Sequence, residues 1–153
     1  MKTRIRISLI LLLVFAGAGS FPLNAQQKRA SQTRASGSQQ SSQGLIERGR
    51  YIVESVAMCE RCHTQRDGNG NPDRVHWLMG GPVQTRPTYN DSKWALIEPR
   101  LAGSPPGTED EFIKLLTTGI SRTGLPPNPP MPPFRMTRED ANAVLAYLKS
   151  LRQ

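Results

Sequence analysis

Three amphipathic segments, no stretch of persistent strand-like alternation, and long Gly/Pro-rich connections make this an all-α chain with extended loops. The regular structure looks sparse for a domain of this size. With thirteen prolines and thirteen glycines among 153 residues, the helices have little to bury against one another, so the fold needs a large apolar insert to complete its core.

The first residues form a separate segment. Lys2, Arg4 and Arg6 give a positive start without acidic residues, Ile7 to Ala18 is almost unbroken apolar sequence, and small residues lead to Leu23-Asn24-Ala25. This is the pattern of a secretory signal peptide over residues 1–25, cleaved after Ala25. An uncleaved membrane anchor is the alternative reading. A span needs about 20 apolar residues, and Ser20 and Pro22 interrupt this one. Residues 26–44 are Gln, Ser, Ala, Gly and one Thr, with Lys28, Arg29 and Arg34. They hold no aromatic or β-branched apolar residue to offset the entropy of ordering. They read as a flexible tether reaching roughly 25 Å as a coil.

Charge concentrates in these two segments. The chain carries +8; without Lys2, Arg4 and Arg6 it carries +5, and without Lys28, Arg29 and Arg34 residues 45–153 carry +2. No basic stripe with interleaved aromatics remains in the domain, which excludes a nucleic-acid surface.

Residues 45–153 suffice for one core. In the first helix Leu45, Gly49, Ile52, Val53 and Val56 share a face opposite Glu47, Arg48, Arg50 and Glu54, and Gly49 on the apolar side implies a close backbone neighbour. The second helix starts at Thr108, with Glu111 completing a capping box. It continues through Phe112, Ile113, Leu115 and Leu116 to a stop at Gly119. The third has Thr137 as N-cap and Asp140 in its first turn. Its stripe is Ala141, Val144, Leu145, Leu148 and Leu151, with Lys149 and Arg152 near its end.

The chemistry lies at the end of the first helix. Both cysteines of the chain fall in Cys59-Glu60-Arg61-Cys62-His63, the attachment signature for a covalent c-type haem. Two thiols three residues apart point the same way from one helical turn, so each can add to one vinyl group along a haem edge. His63 then offers an imidazole nitrogen to the iron. Other readings of the motif lack support. A thioredoxin-like dithiol wants a surrounding βαβ pattern, a zinc site wants two further ligands, and a disulfide here would close too small a loop to stabilise much. The expected cofactor is therefore one haem c on Cys59 and Cys62. Export agrees with it, since thiols are otherwise at risk in an oxidising compartment, and no cysteine lies outside the motif to suggest a disulfide framework.

Further residues carry a family resemblance. The haem motif after an N-terminal helix, a Pro-flanked methionine in Met131-Pro132-Pro133-Phe134, the segment Arg48-Gly49-Arg50-Tyr51-Ile52 and the final helix through Ala146-Tyr147-Leu148 resemble a class I cytochrome c. More narrowly they resemble the single-haem domains serving periplasmic dehydrogenases and respiratory chains. The likeness covers both ends of the domain and leaves residues 64–107 unaligned. It implies crossing N- and C-terminal helices, with Gly49 opposite Tyr147 or Leu148, and a haem crevice closed by the loops. It also implies a methionine as second iron ligand.

Among the candidates, Met58 is too close to the first haem cysteine and Met79 has no matching context. Met136 precedes the Thr137 cap, where it is expected to pack on Ala141. Met131 sits between proline pairs whose fixed φ angles hold an extended segment, just ahead of the last helix. Met131 is the expected ligand. Soft thioether ligation would favour Fe(II) and raise the reduction potential relative to two histidines. His76, in a Gly/Pro-rich loop, reads as a surface or packing histidine.

The expected function is a periplasmic, or otherwise exported, one-electron carrier that is not itself an enzyme. No serine or carboxylate constellation accompanies a base, and no nucleotide-binding loop appears. The resemblance implies redox partners, a dehydrogenase or an oxidase, and membrane contact only through such a partner or an uncleaved signal segment. The alternative is a haem enzyme or gas sensor, which requires an open iron position and so a Met131 that does not bind.

Overall fold

The computed structural model describes residues 41–151. The expected signal peptide and the tether as far as residue 40 lie outside the described residues. Helix α1 is already formed at residue 41 and continues to 51, so residues 41–44, expected in the tether, are helical. Once the face around Ile46, Gly49 and Ile52 is docked, each added turn costs little nucleation, which lets the helix extend backward into polar sequence.

Residues Ile52–Val56 then form a π-helical turn, in which the Ala57 N–H reaches back to the Ile52 carbonyl at 2.7 Å and the Cys59 N–H to that of Val53 at 2.9 Å. The wider turn rotates the chain after Val53, and the expected apolar face is corrected at both its ends. Ile52 and Val53 are buried with Ile46 packed beside them, whereas Leu45 and Val56 face solvent. A single turn, α2 (Glu60–His63), carries the haem motif.

Two dipeptides, β1 (Gly81–Pro82) and β2 (Ile97–Glu98), pair antiparallel with Gly81 opposite Glu98. Sequence alternation gave no sign of them, since strands this short cannot express a period. They leave the domain all-α in character.

Helix α3 (Glu109–Thr118) has the expected reciprocal capping box between Thr108 and Glu111. It ends at Gly119, whose φ of 65° is left-handed. Helix α4 (Arg138–Ser150) starts at Thr137, whose hydroxyl accepts from the Asp140 N–H at 3.1 Å. The core joins these elements: Ile52 and Val53 from the π turn, Phe112, Ile113 and Leu116 from α3, and Ala141, Val144, Leu145 and Leu148 from α4. Exposed ion pairs tie α1 to α4 (Arg48–Asp140) and α3 to α4 (Lys149–Glu109), and contribute little beside that burial. Tyr147 on α4 donates its hydroxyl hydrogen to Glu54, and burial with that partner pushes its pKa up to about 12. Among the described residues no helix is long and apolar enough to cross a membrane.

Candidate haem site

The π turn and Met58, which sits at a left-handed φ of 49°, swing the chain so that α2 starts beside the core rather than continuing α1. Within α2 the His63 N–H bonds to the Cys59 carbonyl at 2.9 Å, which sets Cys59 and Cys62 one turn apart. Both thiols are free, half-buried, and line the same cavity. Burial, and then the Glu60 charge, pushes the Cys59 thiol up to about 12. Cys62 is also raised, by burial and then by Glu98.

His63 is buried, and its Nδ1 lies 2.7 Å from the Pro99 carbonyl. A carbonyl can only accept, so Nδ1 carries the hydrogen and Nε2 keeps its lone pair for a metal. Backbone bonds hold this arrangement. The Gly80 N–H donates to the His63 carbonyl (2.8 Å), the Leu78 N–H to the buried Thr64 hydroxyl (2.9 Å), and the Leu101 N–H to the Leu78 carbonyl (2.9 Å). Residues 78–80 and 98–102, from the stretch that sequence reading left unaligned, thus build the bed of the histidine. Pro99 lies 36 positions from His63, and nothing local in the sequence signals that the two meet.

The cavity that both thiols line is almost entirely apolar. Its lining includes Ala57, Met58, Cys59, Cys62 and His63 from the haem-motif segment, and Met131, Pro132, Phe134 and Met136 from the segment before α4. Leu101, Phe112, Leu116, Val144 and Leu148 complete it. A second cavity, also lined by His63, Leu101, Phe112 and Met131, has a polar rim at Glu111, Ser121 and Arg122. The four predicted site residues, Cys59, Cys62, His63 and Met131, therefore share one apolar space.

The remaining candidates divide. Met136 lines the first cavity but not the second, and its N–H is tied to the Leu116 carbonyl at 2.9 Å. Met58 also lines the first. Met79 and His76 line a different cavity with Glu54, Trp77 and Tyr147. His76 there holds Asp73 at 2.7 Å and keeps that carboxyl below its usual pKa.

The donor set suits a haem: two thiols, a tautomer-locked imidazole and a thioether around an otherwise hydrocarbon space. Residues 44–148 match the model of the family described as cytochrome c oxidase, cbb3-type, subunit III. The chain belongs to this family of c-type cytochrome domains. The cytochrome is also similar to a diheme cytochrome c-type protein of Cereibacter sphaeroides, 56% identical over 112 residues, an alignment covering 67% of this chain and 34% of the relative. It thus spans about a third of that relative's length. Covalent haem c and electron transfer are the cofactor and the work of such cytochromes. The two cysteines of this sequence make one attachment motif.

Proposed function

We propose that this domain is an exported, periplasmic one-electron carrier with a single haem c, attached through Cys59 and Cys62 and ligated by His63 and Met131. The observation that carries the reading is the shared cavity: both thiols, His63 and the Met131 segment border one apolar space, and His63 and Met131 border its neighbour, which also has polar lining residues. When bound, the haem supplies an iron that cycles between ferric and ferrous states.

The protein's own groups orient and insulate that iron. Pro99 fixes the imidazole tautomer, so no proton need leave His63 when the iron changes charge. Met131 follows a turn rather than the extended run expected from its prolines: its N–H donates to the Asn128 carbonyl at 3.2 Å across Pro129 and Pro130, which anchors its backbone. Phe112, Leu116 and Leu148 line the cavity and would keep water from a bound haem, limiting solvent reorganisation on electron transfer. Ser121 and Arg122, which line the second cavity, would supply hydrogen bonds to polar groups of a bound haem. Partners in this reading are other redox proteins, a dehydrogenase or oxidase, or a second haem domain of the kind the diheme relative's name indicates.

The test is the optical spectrum of the reduced holoprotein with and without carbon monoxide. An unchanged low-spin spectrum is expected. Ready binding of the gas by the native protein would replace the carrier with a haem enzyme or sensor.

A further inference from the structure

Strand β2 is inside out. Ile97 is 66% exposed, while Glu98, the carboxylate beside it, is 4% exposed. A slip of one residue would bury the isoleucine and free the acid, and in so short a ladder few bonds oppose it. The surroundings favour the observed register instead. Gly80, at φ +73°, passes so close that a Cβ there would strike the Glu98 backbone, and Gly81, at φ +146°, leaves room for Gln65.

The buried carboxylate ends beside the iron ligand. Glu98 Oε2 lies 3.9 Å from His63 Nε2, and Oε1 has no hydrogen-bond partner. Among the described residues Glu98 pairs with no lysine or arginine. Glu98, the last residue of β2, and Pro99, which follows it, thus flank the imidazole on both nitrogens, the Pro99 carbonyl at Nδ1 and the Glu98 carboxylate near Nε2. A buried carboxylate oxygen without a hydrogen-bond partner is a costly placement, and such violations concentrate where function requires them.

We infer that Glu98 is a positioning residue for electrons: its negative charge beside His63 stabilises the ferric over the ferrous iron and holds the reduction potential down. Reduction by one electron removes one positive charge from the iron, so a nearby anion favours the oxidised state. A water-excluded site transmits that effect strongly. The carboxylate thereby opposes the upward shift that a thioether ligand gives. This inference rests on His63 ligation as proposed above.

The experiment is spectroelectrochemical titration of the haem-loaded protein. Replacing Glu98→Gln, and separately Glu98→Leu, should shift the reduction equilibrium at least tenfold toward the ferrous form, about 59 mV for one electron. Glu98→Asp should recover most of the native value. Glu139→Gln, which removes an exposed carboxylate in the first turn of α4, should change it less than twofold. A shift below twofold in either neutral variant that folds overturns the inference. Failure of both neutral variants to fold would make the carboxylate structural and overturn it as well. The ligation reading is checked separately on the native protein: covalent haem with a low-spin spectrum sustains it whatever Glu98 does, and a high-spin spectrum removes it.

Discussion

Gly49 of α1 lies directly against the backbone of Ala143 in α4, so the two helices meet main chain to main chain. A Cβ at Gly49 would run into the Ala143 carbonyl and come within 2.8 Å of the Tyr147 Cβ. The contact agrees with the expected neighbour Tyr147 and adds Ala143, whose small side chain permits the approach.

The first prediction follows from that contact. Gly49→Ala would gain about 1 kcal/mol in helix propensity if nothing stood in the way. Here the obstacle is backbone, which cannot rotate aside, and overpacking of this kind costs about 1–3 kcal/mol or more. Urea unfolding of the holoprotein should show a net loss of stability. A midpoint equal to or above the native one would mean that the helices part without cost.

What could be read in advance was local. The Thr108/Glu111 capping box, the Gly119 stop and the Thr137 cap each act over four residues or fewer, so their sequence spacing is their geometry. The haem motif is legible for the same reason. The π turn is not, because Ile52, Val53 and Val56 satisfy an ordinary helical stripe and only the demand for α2 to turn away adds the extra residue. Glu98 and Pro99 are illegible for another reason: their partner is His63, reached through contacts that close the unaligned loop. Both residues sit where sequence rules put a surface turn.

A second prediction concerns attachment. Two thioethers should keep the haem on the chain through denaturation, giving peroxidase staining on an SDS gel. Replacing Cys59 or Cys62 singly should leave one thioether and a less stable holoprotein. Extraction of the haem into acid-acetone from the native protein would contradict covalent attachment.

A third prediction concerns the cofactor's share in folding. Without haem the cavity walls, from Phe112 to Leu148, lose their filling, and the apoprotein should be largely disordered. Cysteine reactivity reports this directly. In the folded geometry the Cys59 thiol is pushed up to about 12, so at pH 8 its thiolate fraction would be on the order of one part in ten thousand. In a disordered chain both thiols would return to ordinary values and react with iodoacetamide as free cysteines do. Equal, rapid alkylation of Cys59 and Cys62 is expected. Protection of Cys59 together with a cooperative thermal transition would show that the protein core stands without the haem.

The last prediction separates the methionines that border the cavity. Met131 shares both cavities with His63, whereas Met136 shares one and is tied by its backbone to α3. Met131→Ala should therefore abolish the weak iron–sulfur charge-transfer band, lower the reduction potential and admit carbon monoxide. Met136→Ala should leave the band intact and cost about 2 kcal/mol or less, since the side chain is only partly buried. The opposite outcome would assign the thioether to Met136 and require the Pro-rich segment to turn Met131 outward. Should neither substitution alter the band, Met58 becomes the next residue to replace. It borders the same cavity, while Met79 and His76 line a separate one. For Met58 to reach the iron, the left-handed backbone that now starts α2 would have to rearrange, so Met58→Ala would then disturb haem attachment and ligation together.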